Sequence, residues 1–376
     1  MTFASTVATK WGNFRKFAVE WRHGNIHTRR SAGALAQAAA GDRAGRHVVF
    51  LIAGANIVNG GLMSIASIAR ESARLLSPRG VRVSVCTALG QQPLRRLDKF
   101  DNTAALLPFG ALLECLAAGS RVLVHVPECA VEQMILDHAA LFARPGVSWS
   151  FNILLQNIDF IPSREVVARL QGLGPVTATV AHAAYADAGT AARLGCPVHL
   201  LSTWVSPEEF RRSGYADKER LVVVSPDPSP LRRSVLAAIA QALPDHRIVE
   251  IRDMTYRQYK ATIARAKFAF TFGEGLDGYF VETVFSGGIG MAVYNSRFFT
   301  PDYETLPGLF ADLQDDVSAI AAFLRAADRP ERYGEVADRQ FAMLAKKYVR
   351  AEYLSNLESY YATYQASLLA PDDGPR

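Results

Sequence analysis

The sequence predicts an α/β chain made of two wound domains, each a parallel sheet flanked by helices, and three observations carry that expectation. Short apolar runs of strand length alternate with longer segments whose apolar residues recur at helical spacing, which is the rhythm of strand and crossover helix. Glycine turns follow a strand and open a helix at two distant places, Asn59-Gly60-Gly61 and Gly273 to Gly278. The 376 residues suffice for two domains of ordinary size, each with its own core.

The elements follow in order. Within residues 11–30, Trp11, Phe14, Phe17, Ala18 and Trp21 recur at helical spacing among Lys10, Arg15, Lys16 and Arg22, a basic amphipathic helix. Its apolar face packs on the body of the protein or on a second copy in a homo-oligomer, or it lies on anionic lipid; residues 33–45 read as linker. Residues 1–46 thus form an extension ahead of a first domain, 47–204.

That domain opens with a strand at 47–53 and a helix at 61–76, whose Leu62, Ile65, Ile68, Ala69 and Leu75 share a face. A strand at 81–86 completes the first unit. The alternation continues with strand 104–107, helix 111–118, strand 122–126, helix 131–142, strand 150–155, strand 177–182, helix 185–194 and strand 198–203. The segment Trp204 to Phe210 is the crossing to a second domain, 205–345.

There a strand at 221–225 meets a proline-rich turn, with Ser229 as expected N-cap and Pro230 as first helical residue. Leu231, Val235, Ile239 and Leu243 mark the helix. A strand at 247–251 and a helix at 255–266 lead to strand 268–272, a helix from near Tyr279, strand 291–294, an aromatic turn at Phe298-Phe299 and helix 317–326. Residues 332–368 read as one long periodic helical segment, so that 346–376 is a crossover helix and tail.

Composition narrows the function classes. The formal charge of +5 resides in residues 1–46, which carry eight Lys/Arg against Glu20 and Asp42, so nucleic acid is not implied. Cys86, Cys115, Cys129 and Cys196 lack C-x-x-C spacing, which predicts neither zinc nor disulfides and suits a reducing, cytoplasmic setting. No apolar run reaches 18 residues and no signal-peptide layout is present, so no membrane span is expected. There is no D-x-D, G-x-S-x-G or Walker loop, and no cluster with metal-ligand spacing.

Chemistry is expected at the turn after Phe272. Glu274 lies in the turn and Glu282 in the helix that follows, with seven residues between them, so both can face one pocket above a strand's carboxyl end. Gly273-Glu274-Gly275-Leu276-Asp277-Gly278 also fits G-x-G-x-x-G, but the next strand arrives too early for a dinucleotide unit. Arg232 and Arg233 stand in a first helical turn, where cations are misplaced unless a bound anion needs them; the other reading is a solvated face. His125 stands at a strand's carboxyl end and is either a hydrogen-bonded core histidine or a ligand contact. Glu128 and Asn157 follow in the loops at such strand ends.

The stretch Phe268 to Gly290 resembles the E-x(7)-E loop of retaining, nucleotide-sugar glycosyltransferases with the GT-B fold, in the style of glycosyltransferase family 4. Glu274 and Glu282 match the two glutamates, and Gly287 the glycine five residues after the second. The resemblance implies two Rossmann-like domains facing across a cleft, with a C-terminal helix crossing back to the first. It implies a nucleoside-diphosphate sugar as co-substrate, no other cofactor and no metal. Catalytic support would come from Glu274, and donor contacts from Gly60, Gly61, Arg232, Arg233, Gly275, Leu276, Asp277 and Glu282. His125, Glu128 and Asn157 are the acceptor-side candidates.

The family's Glu-Gly-Phe-Gly is replaced here by Glu274-Gly275-Leu276-Asp277, and its Gly-x-Pro by Gly287-Gly288-Ile289. The acceptor implied is a surface polysaccharide or lipid-linked oligosaccharide, with the enzyme peripheral at the inner face of a membrane. Two other readings stay open, a sugar-nucleotide epimerase of the same fold and a catalytically silent scaffold protein.

Overall fold

The computed structural model describes residues 45–52, 60–89, 106–311 and 317–370. The expected basic helix and linker, Asn59, and the start of the strand expected at 104–107 lie outside the described residues. The chain forms two units: one ends at Thr203 and resumes at Leu354, and the other is Trp204–Tyr353.

The first unit is a seven-stranded, all-parallel sheet. Its strands are β1 Arg46–Ile52, β2 Val81–Thr87, β3 Leu106–Pro108, β4 Arg121–Pro127, β5 Ser148–Leu155, β6 Val176–Val180 and β7 Val198–Leu200. They lie in the order β3-β2-β1-β4-β5-β6-β7, so the winding reverses between β1 and β4. Val48 to Leu51 and Val122 to Val124 are sealed on both faces, as uninterrupted apolar runs require in a parallel sheet.

The helices of this unit are α1 Gly60–Leu76, α2 Phe109–Cys115, α3 Arg164–Gln171 and α4 Ala188–Leu194. α1 buries Leu62, Ile65, Ile68 and Ala69 of the face its periodicity predicts, with Leu76 buried where Leu75 was expected. The helix expected at 131–142 is instead three single turns. Met134, Ile135 and Leu136 are all buried, and three consecutive residues cannot share one helix face, so the chain breaks at Ile135 (φ −122°, ψ −59°). The helix expected from 185 begins at Ala188, because the Asp187 carboxylate accepts from Thr190 N at 2.6 Å and caps it there.

The second unit is a five-stranded parallel sheet of order β12-β11-β10-β8-β9, from β8 Glu219–Val224, β9 Arg247–Glu250, β10 Ala266–Thr271, β11 Ile289–Val293 and β12 Leu309–Phe310. Its helices are α5 Arg232–Ala242, α6 Tyr256–Arg265, α7 Gly278–Phe285, α8 Ser318–Ala327 and α9 Pro330–Lys347. α6 starts in a capping box, Thr255 and Gln258 each satisfying the other's backbone amide. α5 begins two residues later than expected. Leu231 holds the N-cap position, while Ser229 Oγ accepts from Leu231 N at 3.2 Å in the turn before it.

The long helix expected over 332–368 is broken at Tyr348, whose ring packs edge-on against Phe285 within the second unit. Beyond it run α10 Arg350–Tyr364 and a last turn, Ala366–Leu369. From Leu354 this segment belongs to the first unit. The Tyr361 hydroxyl donates to Ser72 Oγ at 2.8 Å, Tyr360 OH and Thr177 Oγ1 lie 3.1 Å apart, and His199 Nε2 bonds Asn356 O at 2.8 Å. Arg46 donates to the carbonyls of Leu368 and Ala370, and Arg121 to that of Ser367. No helix among the described residues is long and apolar enough to cross a membrane.

Candidate functional site

Every residue of β10 is buried, and its neighbours β8 and β11 run parallel to it, so the backbone leaving Thr271 emerges at the carboxyl end of a central strand. The turn that follows is held by Asp277. One of its oxygens accepts from Phe280 N at 3.1 Å and caps α7, and the other accepts from the Thr271 hydroxyl, tying the helix start to the strand end. Burial pushes the Asp277 carboxyl up to about 7, and Asp227, from the loop after β8, adds to the rise. The α7 N-terminus is therefore already capped by a group that holds its proton to near neutrality.

Gly275 is the one position in this turn with a left-handed backbone (φ 86°), and a Cβ there would meet the Phe299 ring at 2.6 Å. Glu274, next to it, is half-buried, and Leu276 packs against the Phe280 cluster. The glycine after α7 has its own cause. Gly287 has φ 87°, and a Cβ would come within 2.2 Å of Ser213 O, so the segment before β8 packs directly on this backbone.

Glu282 is in the second turn of α7 and is 1% exposed. Burial pushes its carboxyl up, and an ion pair with Lys260 Nζ at 2.8 Å and a hydrogen bond from the Tyr259 hydroxyl pull it back. The Lys260 ammonium also lies over the Phe210 ring at 4.4 Å. Nothing in the sequence singled out Lys260, 22 residues before its partner, since it sits on a helix whose periodicity marks Tyr259 and Ile263 as the buried side.

The two arginines part company. Arg232 turns inward: it donates to the carbonyls of Ser225 (2.7 Å) and Asp227 (3.2 Å), pairs with Glu250 and lies over Phe272. It holds the β8–α5 loop in shape. Arg233 is exposed.

In the first unit, Gly60 is the exposed first residue of α1 and Gly61 is half-buried beside it. Glu128 and Asn157 come together at the carboxyl ends of β4 and β5, where Asn157 N donates to Glu128 Oε1 at 2.9 Å. Burial pushes the Glu128 carboxyl up, and three backbone amides, led by that of Asn157, oppose this. The Asn157 side chain accepts from Asp159 N, which orders the loop. His125 does not join them. It is fully buried, stacked on Phe50 at 4.2 Å, with Nδ1 3.0 Å from Asn152 Nδ2, and burial pulls its pKa down to about 3. Among the described residues no group of three or more His, Cys, Asp or Glu is arranged to hold a metal ion.

No protein-family model matches the sequence, and no curated protein matches it either. Solved structures do match in shape. HepE of Anabaena, in complex with UDP-glucose, superposes with a TM-score of 0.56 at 10% identity, covering 84% of this chain and 99% of that one. The chain has the GT-B fold. An α-glucosyltransferase in complex with UDP and DNA gives 0.52 at 9% identity over 86% of this chain and 99% of its own. Sucrose-phosphate synthase from Thermosynechococcus elongatus gives 0.51 at 9% over 86% and 100%. At such identities the likeness concerns the GT-B fold and not the chemistry.

Within this GT-B chain, the second unit offers carboxylates on a glycine turn, an exposed cation at the start of α5 and a buried carboxylate held by an ammonium. Those groups suit hydroxyl-rich, anionic ligands, because carboxylates accept from hydroxyls and cations meet phosphates.

Proposed function

We propose that the protein is a retaining glycosyltransferase that moves a hexosyl-type sugar from a nucleoside diphosphate to a surface polysaccharide or lipid-linked oligosaccharide. The observation that carries this is the turn after β10, where Glu274 and Glu282 bracket a glycine loop at a central strand end of the second GT-B unit. The known neighbours that bind UDP or UDP-glucose support a donor of that class. The basic residues 10–30 support an acceptor at an anionic surface.

In this reading the second unit, 205–345 in sequence terms, binds the donor, and the first binds the acceptor beside Glu128 and Asn157. Glu282 accepts hydrogen bonds from the ribose diol. Glu274 binds the transferred sugar and offsets positive charge on its ring as the bond to the diphosphate breaks. The acceptor oxygen bonds to the anomeric carbon on the face the diphosphate leaves, and its proton passes to the departing phosphate. Charge on that phosphate is met by Arg233 and by the amide of Gly275. Arg232, already committed to Glu250 and two carbonyls, shapes the loop that presents Arg233. No divalent ion is required by this scheme.

A thermal-shift panel of nucleoside diphosphates and their sugars tests it. A true donor at about 100 times its dissociation constant stabilises by about 2.7 kcal/mol. Product from that donor keeps the anomeric configuration by NMR, and chelator leaves turnover intact. An inverted anomer, or activity restored only by magnesium, would overturn the mechanism, and turnover of donor without acceptor would point to an epimerase instead.

A further inference from the structure

We infer that Phe160 is the platform on which the first unit seats a sugar ring of the acceptor, so that what is recognised there is a pyranose and not a lipid chain. This rests on the transferase reading above and names the acceptor's chemistry at the same strand ends.

Phe160 is 56% exposed, and Leu141, at 46%, is the other large apolar side chain so exposed among the described residues. Single apolar side chains are common on protein surfaces, so exposure alone decides nothing. Place and rigidity separate the two. Leu141 lies in the turn Ala139–Phe142, which leads into the amino end of β5. Phe160 closes the turn Ile158–Phe160 at the carboxyl end of that strand, the end at which wound parallel sheets bind ligands.

The turn Ile158–Phe160 is fastened on both sides. Asn157 holds its start: the side chain accepts from Asp159 N at 2.9 Å and the carbonyl from Phe160 N at 3.2 Å. The amide of Asn157 donates to Glu128 Oε1 at 2.9 Å, which ties the turn to the end of β4. Past the turn, Ile161 packs on the core, and Ser163 Oγ accepts from Val166 N at 3.3 Å to start α3. The backbone is thus set before a ligand arrives, and the exposed ring has few torsions left to order.

The chemistry of the ring selects the ligand. One face of a pyranose presents C–H bonds polarised by the neighbouring oxygens, and these fit the negative face of an aromatic ring. Its hydroxyls lie around the edge and need polar partners, which half-buried Asn157 and exposed Asp159 place beside the platform. A bilayer is a poorer match. Sinking Phe160 into lipid would carry the Asp159 carboxylate with it, and Ser163, Arg164 and Glu165 are exposed close behind.

The test is NMR of the full chain with maltotriose, cellotriose, chitotriose and mannotriose, for the wild type, Phe160→Ala and Phe160→Trp. The wild type is expected to bind one of them, with saturation transfer strongest to the C–H protons on one face of a single pyranose. Phe160→Ala weakens that binding about tenfold and evens the transfer between the faces, while Phe160→Trp binds at least as tightly as the wild type. Thermal melts check that each variant is folded. Unchanged binding in Phe160→Ala, or no trisaccharide bound by a wild type that binds UDP, GDP or ADP, would overturn this inference alone. So would a Phe160→Ala variant that lost co-sedimentation with phosphatidylglycerol vesicles and kept its trisaccharide binding. If the wild type bound a trisaccharide through Phe160 but none of the three nucleotides, the transferase reading would fall and the platform would stand.

Discussion

The interiors of the two units put buried polar groups to different uses. In the first, His125, Asn152, Thr177 and Thr179 form a neutral network. Asn152 Nδ2 bonds His125 Nδ1 and Thr179 Oγ1, each at 3.0 Å, and Thr177 donates to Asn152 Oδ1 at 3.0 Å. Tyr360 and Tyr361 of α10 close it from above. In the second, ionisable groups gather at one strand end, half-buried Asp277, buried Glu282 and the half-buried Lys260 that holds it, among neutral buried groups such as Ser225, Thr271 and Thr283. The same α/β rhythm thus supports a network that seats a returning helix in one unit and a charged turn in the other. Neutral, fully paired groups rigidify a core, while a carboxylate is costlier to bury.

Breaking the neutral network gives the largest expected effect. Asn152→Leu leaves His125, Thr177 and Thr179 without their shared partner, and each unmade buried hydrogen bond costs about 1–3 kcal/mol. A loss of roughly 4 kcal/mol in chemical denaturation is expected, with the nucleotide-induced thermal shift unchanged in size. The mirror experiment is Glu274→Gln, expected to lower turnover about 100-fold while melting and nucleotide affinity stay at wild-type values. If the first variant lost nucleotide binding, or the second lost stability, the division of labour between the units would be wrong.

The pH dependence sharpens the same contrast. His125 is held neutral, its pKa lowered from 6.5 to about 3. Its contribution is complete above 6.5 and is lost as pH falls toward 3, because the unfolded chain takes up a proton the folded one refuses. Asp277 runs the other way. Its carboxyl is raised from 3.8 to about 7, so its contribution is complete below 3.8 and is lost as pH rises toward 7. Asp277→Asn keeps an acceptor for Phe280 N and removes that loss, so its stability profile from pH 3.8 to 7 rises relative to wild type as pH increases. Parallel profiles would show that Asp277 does not titrate as its burial implies.

The smallest effect separates two adjacent arginines. Arg233→Ala is expected to weaken nucleotide affinity about fivefold, or about 1 kcal/mol, with no change in melting. Arg232→Ala frees two carbonyls, leaves Glu250 to Arg252 alone and lowers the melting temperature. Equal effects on binding would mean that both side chains reach the phosphates.

Strand β10 and the turn after it were legible in the sequence because their parts are local, alternating aromatics for the strand and glycines for the turn, whereas the Asp277 cap that starts the helix at Gly278 was not read there. Other features depend on distant residues. α3 escaped notice because only Val167 and Leu170 are buried in it, too few for a visible period, although Ser163 is a ready N-cap. The break at Tyr348 carries no glycine or proline, and the ring of Phe285 that receives Tyr348 is 63 positions away in sequence. Arg232 reads like Arg233 until Glu250 is seen beside it, and Lys260 reads as a solvated lysine until Glu282 is folded against it.

The return of the chain at Leu354 sets an order on biosynthesis. The second unit is one continuous stretch, whose last residue, Tyr353, is made before the segment that returns to the first unit. The first unit, although it comes earlier in the sequence, waits for Tyr360 and Tyr361 to cover the His125 network and for the last turn to meet Arg46 and Arg121. Until then the seven-stranded sheet lacks the segment that covers its polar network, and exposed surface of that kind is what makes a nascent chain need a chaperone.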